Sequence, residues 1–294
     1  MLTRRALFSA IGAGSAIASA TTSKVRFDFV HFTDTHLQPE LGAVEGTRLC
    51  FEHINRLKPA FAIAGGDLVM DADLKPKVRA RELYRLYMDV HKRLAMPVHA
   101  VIGNHDVVGM QASSGSTVDD PDFGKGWFEE RFGRRYRSFD HRGWHFVLLD
   151  SVMVANRNFT GGIDAEQLQW LKRDLAGLAP RTPIIAVTHI PLASAALQIV
   201  PDPWKTADTY LIKNSVEVLE AFQPYNLKAV LQGHTHIRET VVHRGVQFLT
   251  SGAVCANWWK GPRLGHPEGF AVLRVRGESV EWTHQTYGWT PRTS

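Results

Sequence analysis

Hydrophobic residues in this sequence fall into short runs that are separated by longer amphipathic segments. Short apolar runs bounded by polar or turn-forming residues are typical of buried β-strands. Three runs near the C-terminus follow one another without a helix-like segment, which predicts a meander that closes a second sheet. The predicted strands are VRFDFVHF, AFAIAG, PVHAVIG, HFVLLDS, PIIAVTH and LKAVLQG, and then VQFLTSG, FAVLRV and VEWTHQTY.

Helix-like segments lie among the first six predicted strands. In the clearest of them, Asp164 is a candidate N-cap, Gln167 can complete a capping box, and Pro180 cannot continue a helix. Leucines recur in this segment at helical spacing. The predicted helices cover residues 46–57, 75–94, 164–178 and 214–222. Strands that alternate with helices predict an α/β fold.

The composition is that of an ordinary globular protein, with 294 residues of which 44% are hydrophobic and 21% charged. No internal repeat or long linker marks a boundary, so we expect one domain over residues 25–290. No apolar run in the mature chain reaches the roughly 18 residues of a membrane-spanning helix, and we therefore expect no transmembrane segment. Residues 109–126 are rich in Gly, Ser and Asp and predict a long surface loop.

The N-terminus, residues 1–20, resembles a twin-arginine export signal. Arg4 and Arg5 precede a weakly apolar stretch, and Ala18 and Ala20 have the spacing of a cleavage site. We expect this signal peptide to be removed and the mature chain to be periplasmic or extracellular. The alternative is a short amphipathic or disordered tail on a cytoplasmic protein.

Charge and cysteine content exclude several kinds of site. Cleavage would leave 32 basic and 29 acidic residues, and this excess is too small to indicate nucleic-acid binding. The tight basic cluster of Arg134, Arg135 and Arg137 fits a solvated turn better than a phosphate-binding patch. Cys50 and Cys255 are too few for a zinc finger or a disulfide framework. We interpret both as small core residues, with pairing in an oxidising compartment as the alternative.

Polar side chains follow five of the predicted strands at the point where each strand ends. They occur in the segments HFTDTH, AIAGGD, VIGNHD, AVTH and VLQGHTH. Ligands bind at this edge of an α/β sheet because the loops that leave it converge. We therefore expect one site that contains Asp34, His36, Asp67, Asn104, His105, Asp106, His189, His234 and His236.

Seven of these side chains form a mixed nitrogen and oxygen donor set without thiolate. Divalent Mn, Fe, Co or Zn ions accept such ligands. Seven donors are too many for one ion, but a shared carboxylate lets two ions lie about 3.5 to 4 Å apart with positions left for water and substrate. The predicted ligands are Asp34, His36, Asp67, Asn104, His189, His234 and His236.

The motifs DTH, GGD, GNHD, TH and GHTH, in this order and spacing, resemble the signature of the calcineurin-like metallophosphoesterases. The resemblance implies a four-layer sandwich of two mixed β-sheets flanked by helices, with two metal ions at the strand ends. It implies that Asp67 bridges the ions. The other ligands would be divided between a first ion, held by Asp34, His36 and His236, and a second, held by Asn104, His189 and His234.

The resemblance also implies a mechanism for hydrolysing phosphate esters. A metal-bound water or hydroxide would attack phosphorus in line with the leaving oxygen. His105 would contact the phosphate or protonate the leaving group, which is worth about 10² to 10⁴ in rate. Asp106 would influence this histidine, and both are the predicted catalytic residues.

One departure from related enzymes narrows the branch of the family. Purple acid phosphatases, which are similar in layout, have a ferric-binding tyrosine where this chain has Met70. Phosphoprotein phosphatases often place an aspartate there to orient the histidine, so Asp71 or Asp106 would have to substitute. The segments RSFDHRGWHFVLLDS and GGIDAEQLQWLKRDL resemble the bacterial phosphodiesterase branch, which includes class III cyclic nucleotide phosphodiesterases and glycerophosphodiesterases.

Three functions remain open at this point. We favour a phosphodiesterase acting on a small phosphate ester, with a phosphomonoesterase of the same fold as the alternative. A non-catalytic binding module would have lost ligands, and here every motif is intact. Trp258 and Trp259 are either core aromatics or a substrate wall. His145 and His243 belong to no motif, and we interpret them as core or surface residues.

Overall fold

A computed structural model describes residues 25–199 and 207–292 of the chain, and two large β-sheets form its centre. The first sheet has the strand order β13–β12–β1–β2–β3. Strands β1 to β3 run parallel, and β12 and β13 form a hairpin in which β12 pairs with β1 in the antiparallel direction. The strands are β1 (Arg26–Phe32), β2 (Ala62–Ala64), β3 (Val98–Ala100), β12 (Phe270–Arg276) and β13 (Ser279–Gln285).

The second sheet has the strand order β10–β11–β9–β8–β5–β4. Its four central strands are parallel, and both edge strands are antiparallel to their neighbours. A separate hairpin consists of β6 (Val152–Ala155) and β7 (Asn158–Gly161). The strands of the second sheet are β4 (Arg137–His141), β5 (Trp144–Leu148), β8 (Pro183–Val187), β9 (Asn226–Gln232), β10 (Arg238–His243) and β11 (Val246–Ser251).

Seven α-helices are described. The Asp164 side chain caps one of them by accepting the backbone N–H of Gln167 at 2.8 Å, as the sequence predicts. This helix ends at Ala176, before Pro180. The helices are α1 (Ala43–Leu57), α2 (Lys77–His91), α3 (Gly126–Phe132), α4 (Ala165–Ala176), α5 (Ala196–Ile199), α6 (Ala207–Tyr210) and α7 (Ser215–Phe222).

An apolar layer joins the two sheets face to face. Phe29 of the first sheet and Phe146 of the second meet with ring centroids 5.5 Å apart, and both are buried. Helices cover the outer faces, where for example Phe51 of α1 packs at 5.2 Å from Phe32. The chain therefore has the mixed α/β sandwich that the resemblance implied.

The prediction of a C-terminal meander is wrong. Strand β11 lies in the second sheet parallel to β9, whereas β12 and β13 cross to the first sheet. The reason is that β1 leaves an edge to which β12 adds, from Arg26 opposite Arg276 to His31 opposite Ala271. Strands β4, β6, β7 and β10 and helices α3, α5 and α6 were not among the predicted elements.

The remaining predictions concern the long loop, the cysteines, the N-terminus and membrane spans. Residues 109–125 are irregular except for a 3₁₀ turn at Ala112–Ser114, and Gly126 begins helix α3, so the prediction of a long loop is confirmed. Cys50 and Cys255 are buried and unpaired. The predicted signal peptide at residues 1–20 lies outside the described residues. Within residues 25–199 and 207–292, none of the helices is long and apolar enough to cross a membrane.

Candidate metal centre

Both sheets deliver polar side chains to one place, at the carboxyl ends of their parallel strands. Strands β1 and β2 end shortly before Asp34, His36 and Asp67, and Asn104 begins a short 3₁₀ turn after β3. Strands β8 and β9 supply the remaining three predicted ligands, His189, His234 and His236. The structure thus brings all seven predicted ligands together from segments far apart in the chain.

Three of these residues surround one point. The Nε2 atoms of His36 and His236 are 3.0 Å apart, and His236 Nε2 lies 3.3 Å from Asp34 Oδ1. His236 Nδ1 is 2.6 Å from the carbonyl of Ala256, so that nitrogen carries the proton and Nε2 carries the lone pair. This geometry matches a group of donors that converge on a single cation.

A second group adjoins the first through Asp67. Its Oδ2 atom lies 3.1 Å from His189 Nε2 and 3.5 Å from His36 Nε2. The His189 ring donates Nδ1–H to the Gly65 carbonyl at 2.8 Å, which again leaves Nε2 as the ligating atom. The ring of His234 lies 5.2 Å from that of His189. One carboxylate oxygen therefore faces both groups.

Buried polar atoms without hydrogen-bond partners test whether metal ions fit this site. Asn104 Oδ1, His189 Nε2 and both ring nitrogens of His234 are such atoms. Leaving a buried polar atom unpaired costs about 1 to 3 kcal/mol, and native proteins rarely accept it without a reason. The atoms are donors for a divalent cation and share one small region, so the residues present fit a dinuclear site.

At His234 and Asp67 the electrostatics favour the protonation states that bind metals, whereas in His189 burial lowers the pKa but the charge of Asp67 more than offsets this and raises it to about 9. Burial and, to a smaller extent, the charge of the neighbouring His189 lower the pKa of His234 to about 3. Burial raises the pKa of the Asp67 carboxyl, but the charges of His189 and His105 more than offset this and hold it well below its usual range. A neutral imidazole and an ionised carboxylate are the forms that ligate a metal ion.

The backbone around the site is held in an unusual conformation. Asp34, His36, Asp67, His234 and His236 have φ angles of +54°, +42°, +50°, +71° and +58°. Non-glycine residues seldom adopt this left-handed region, and it clusters at functional sites where the fold can offset its cost. The turns after β1, β2 and β9 therefore hold a strained backbone conformation that places these side chains in the site.

Comparison with known proteins identifies the family. The profile of the calcineurin-like phosphoesterase family matches residues 27–238. The chain belongs to this family. It is accordingly a metal-dependent hydrolase of phosphate esters, and the non-catalytic alternative is set aside.

Individual relatives indicate which branch of the family this phosphoesterase resembles. It is 24% identical over 254 residues to a probable cyclic nucleotide phosphodiesterase of Psychrobacter arcticus, covering 81% of this chain and 84% of the relative. It is 26% identical over 248 residues to a cAMP/cGMP dual specificity phosphodiesterase of Mycobacterium tuberculosis, covering 78% and 69%. A dimetal phosphatase from Danio rerio shares the fold, with a TM-score of 0.61, 18% identity and coverage of 89% and 99%. The resemblance to the bacterial phosphodiesterase branch is confirmed.

The two predicted catalytic residues have different surroundings. His105 lines the cavity beside the metal centre, and its backbone N–H donates to Asp67 Oδ1 at 2.8 Å. Asp106 instead accepts backbone N–H groups of Leu68, Val69 and Gly103 at 2.8, 3.2 and 2.9 Å. These contacts anchor the GGD turn, so among the described residues no contact supports an influence of the Asp106 carboxylate on the His105 ring.

Other carboxylates take the place that we expected Asp106 to fill. His105 Nδ1 lies 3.2 Å from Asp71 Oδ1 and 3.3 Å from Asp73 Oδ1. Burial lowers the pKa of His105, but the charges of Asp73 and Asp67 more than offset this and raise it well above the ordinary value. Of these two carboxylates, the sequence pointed only to Asp71. The signal was the alternation in DAD, just after the GGD motif.

The two neighbouring tryptophans have separate roles. Trp259 is buried, and its indole N–H donates to the carbonyls of Thr35 and His36 at 3.1 Å each. Trp258 lines the cavity, with its ring 4.6 Å from that of His236. Trp259 is therefore a core aromatic, and Trp258 lies on the cavity wall.

Cys255 is closer to the site than the sequence indicated. Its Sγ atom lies 3.7 Å from His236 Nδ1, although that nitrogen already donates to a carbonyl. The thiol therefore packs behind a ligand histidine rather than facing the metal centre. Nothing in the motif spacing marked this contact.

Proposed function

We propose that this enzyme is a two-metal phosphodiesterase. The observation that carries the proposal is the position of Asp67 Oδ2, within 3.5 Å of both His36 Nε2 and His189 Nε2. A shared carboxylate between two donor groups suits a pair of ions rather than a single one. Mn, Fe, Zn and Co are all compatible with the donor set.

The chain's own residues support this chemistry. The ions, when bound, neutralise phosphate charge and make water acidic enough to be a nucleophile near neutral pH. Asp34 and Asp67 supply negative charge that retains the ions, and the backbone N–H of His234 donates to Asp34 Oδ2 at 3.0 Å to hold that carboxylate still. His105, on the cavity wall, can protonate the leaving oxygen.

The shape of the cavity favours a diester over a monoester. Its volume is about 760 Å³, in the range of small-molecule sites. Phe159, Tyr210 and Trp258 line it, offering apolar surface for a second ester arm. Of the described residues that line it, Arg263 is the only Lys or Arg, which is little positive charge for a doubly charged phosphate. The names of the relatives make cyclic nucleotides the first natural substrates to test.

A paired assay tests the proposal. Mature protein with Mn²⁺ should hydrolyse bis(4-nitrophenyl) phosphate faster than 4-nitrophenyl phosphate at equal concentration, and chelator should abolish both activities. Metal analysis of the same sample should give two ions per chain. Faster hydrolysis of the monoester would favour a phosphatase, and a single bound ion in fully active enzyme would contradict the dinuclear site.

Export belongs to the proposal as well. Its support is the twin-arginine pattern at Arg4 and Arg5 and the cleavage-site spacing of Ala18 and Ala20. Fractionation of cells that express the full chain should place the processed enzyme outside the cytoplasm, and replacement of both arginines by lysine should retain it inside. If cells that express the unchanged chain hold the processed enzyme in the cytoplasm, the proposed export is contradicted.

A further inference from the structure

Aromatic side chains flank the metal centre on two sides. We propose that each side holds one arm of a linear phosphodiester, so that the preferred substrate carries an apolar or aromatic group on both ester oxygens. The inference rests on the proposed phosphodiesterase function and deepens it, because it names the class of diester. It also assigns Trp258 and Phe159 as the residues that set this specificity.

Trp258 forms the first wall, beside the donor group of His36 and His236. Its ring centroid lies 4.6 Å from that of His236 and 6.1 Å from that of His36. The Arg263 guanidinium lies 4.9 Å from the centroid of the same indole, a distance at which a cation and an aromatic ring attract each other. Trp258 also has a φ of +49°, so the fold holds this ring in place at a cost in backbone energy.

Phe159 and Tyr210 form the second wall, beside the other donor group. Their ring centroids lie 6.0 and 5.2 Å from that of His234. Phe159 belongs to β7 and Tyr210 ends α6, and these two elements pack against each other. Among the described aromatic rings, no contact joins Phe159 to Trp258. The two walls therefore come from separate segments and adjoin different ligand histidines.

The two donor groups meet at Asp67, and this determines where a substrate lies relative to the walls. Asp67 Oδ2 faces His36 on one side and His189 on the other. Asp67 and the aromatic side chains of both walls line the same cavity. A phosphate held at Asp67 therefore has one wall on each side, and each of its two ester oxygens can direct an arm toward one of them.

Walls on two sides discriminate between two kinds of diester. In a linear diester the ester oxygens carry separate groups, so both walls can be covered. In a cyclic nucleotide both ester oxygens belong to one sugar, and its single base can cover only one wall. Aromatic surfaces bind flat apolar groups by stacking and by excluding water. The arrangement therefore favours a linear diester with an aromatic group, such as a nucleobase, on each arm.

Affinity for ligands that have no scissile bond tests the proposal without catalysis. In dibenzylphosphinate a CH₂ group replaces each ester oxygen of diphenyl phosphate, and benzyl(methyl)phosphinate keeps one arm only. We expect the Mn²⁺-loaded enzyme to bind the two-armed ligand about 10-fold more tightly than the one-armed ligand, as for the gain of one stacked aromatic group. Isothermal titration calorimetry measures both dissociation constants.

Two variants locate the arms. Trp258→Ala and Phe159→Ala should each reduce the advantage of the second arm to less than about 2-fold, because one wall is then missing. Trp258→Phe keeps an aromatic ring and should retain most of the advantage. The matched control is Trp170→Ala, which removes a half-buried indole of α4 that packs at 5.1 Å from Tyr136 and should leave both dissociation constants unchanged.

Thermal melts and metal analysis of each variant accompany the calorimetry, so that loss of folding or of metal is recognised. If the second arm keeps its full advantage in either alanine variant, both arms pack on one wall and the proposal is overturned. Equal affinity of the unchanged enzyme for the two phosphinates would overturn it as well.

Kinetics with natural types of diester test the same preference. A 3′,5′-linked diadenosine monophosphate should have a kcat/KM at least about 10-fold above that of 3′,5′-cyclic AMP, because its second base covers the second wall. A higher kcat/KM for the cyclic nucleotide would contradict the preference for linear diesters.

The two-arm inference and the diesterase proposal can fail separately. If the enzyme hydrolyses aryl monoesters faster and still needs both walls to bind dibenzylphosphinate tightly, the walls are assigned correctly and the diesterase proposal has failed. If it prefers aryl diesters and binds both phosphinates equally well, only the two-arm inference is rejected.

Discussion

Asp34 and Asp150 follow the same sequence pattern and have opposite surroundings. Each comes two residues after an apolar strand of the sandwich, and each is buried. The Asp150 carboxylate meets two cations, Lys125 Nζ and Arg135 Nε, the latter at 2.9 Å. Among the described side chains within 4 Å, Asp34 meets no Lys or Arg and instead faces the ligand histidines.

The comparison shows what distinguishes a structural carboxylate from a metal ligand. Asp150 is neutralised by the protein, and Val152 N–H also donates to its Oδ1 at 3.0 Å. Asp34 has no Lys or Arg partner among the described residues, so a bound metal ion would have to supply the neutralising positive charge. Unpaired nitrogen and oxygen atoms nearby, such as His234 Nε2 and Asn104 Oδ1, lack protein partners in the same way. A buried carboxylate that lacks a Lys or Arg partner is therefore a better marker of a metal site than a buried carboxylate that has one.

Asp34→Asn should produce the largest effect on activity. The amide keeps the shape and can still accept hydrogen bonds from Thr33 and His234, but it lacks the charge that holds an ion. We expect kcat/KM for the aryl diester to fall by about 10³-fold, as for loss of a major electrostatic contribution to catalysis. Steady-state kinetics with excess Mn²⁺ measures this.

The matched control is Asp89→Asn, which removes an aspartate whose side chain is 51% exposed on α2. It should leave kcat/KM unchanged. Chemical denaturation of both variants without metal measures whether the fold is retained. Retention of more than a tenth of the activity would show that Asp34 is dispensable for metal binding.

Asp150→Ala should have the opposite effect to Asp34→Asn: a large loss of stability and little loss of activity. Removing one partner of a buried charge cluster costs about 3 to 5 kcal/mol in the free energy of unfolding. Lys125 and Arg135 are 18% and 27% exposed and can be rehydrated, so we expect the lower end of that range. Chemical denaturation measures the loss. If activity at low temperature falls as far as in Asp34→Asn, the two aspartates do not differ as the comparison requires.

Much of the fold could be predicted from local sequence because burial leaves a local pattern. The helix from Ala165 to Ala176 has its cap, its leucines and its end within one segment. Strand β10 could not be found in this way, since its residues are mostly exposed and no apolar run marks it. The pairing of β12 with β1 joins segments about 240 residues apart, and no local signal encodes such a contact.

The site shows the same division. Motif order was enough to collect Asp34, Asp67 and His234, because each motif ends a strand. Asp73 lacked such a motif, and its partner His105 is 32 residues away in the chain. The neutralised state of Asp150 was equally hidden, since its cations come from the residue just before helix α3 and from the loop that follows the helix. Sequence thus located polar residues at strand ends, and only their partners showed which were available to a metal.

Metal binding should stabilise the folded protein through the predicted ligands. A ligand that binds only the folded state adds about 2.7 kcal/mol at a concentration 100-fold above its Kd. We therefore expect Mn²⁺ to raise the melting temperature of metal-free protein. The increase should shrink in Asp34→Asn and persist in His243→Asn, which alters an exposed histidine of β10. An equal increase in all three would mean that Mn²⁺ binds elsewhere.

The smallest effect concerns His145, whose two ring nitrogens both have partners, unlike those of His234. Its Nδ1 lies 2.7 Å from Asp140 Oδ1 and its Nε2 lies 2.9 Å from Asp174 Oδ2. Burial lowers the pKa of His145, but hydrogen bonds to Asp174 and Asp140 more than offset this and raise it. Burial raises the pKa of Asp174, and hydrogen bonds from His145 and Ser138 more than offset this and lower it.

These shifts set a pH window for the stability that His145 contributes. A raised histidine pKa stabilises the fold below about pH 6.5, and the effect is lost as pH rises through the folded pKa. A lowered Asp174 pKa stabilises it above about pH 3.9, and that effect is lost as pH falls through the folded value. His145→Asn should therefore lower the melting temperature by a few degrees near pH 5 and by less near pH 9. Melting curves across this range measure the effect, with His243→Asn as the reference. A decrease in melting temperature that stays constant or grows toward pH 9 would mean that the packing of the His145 ring, and not its charge, stabilises the fold.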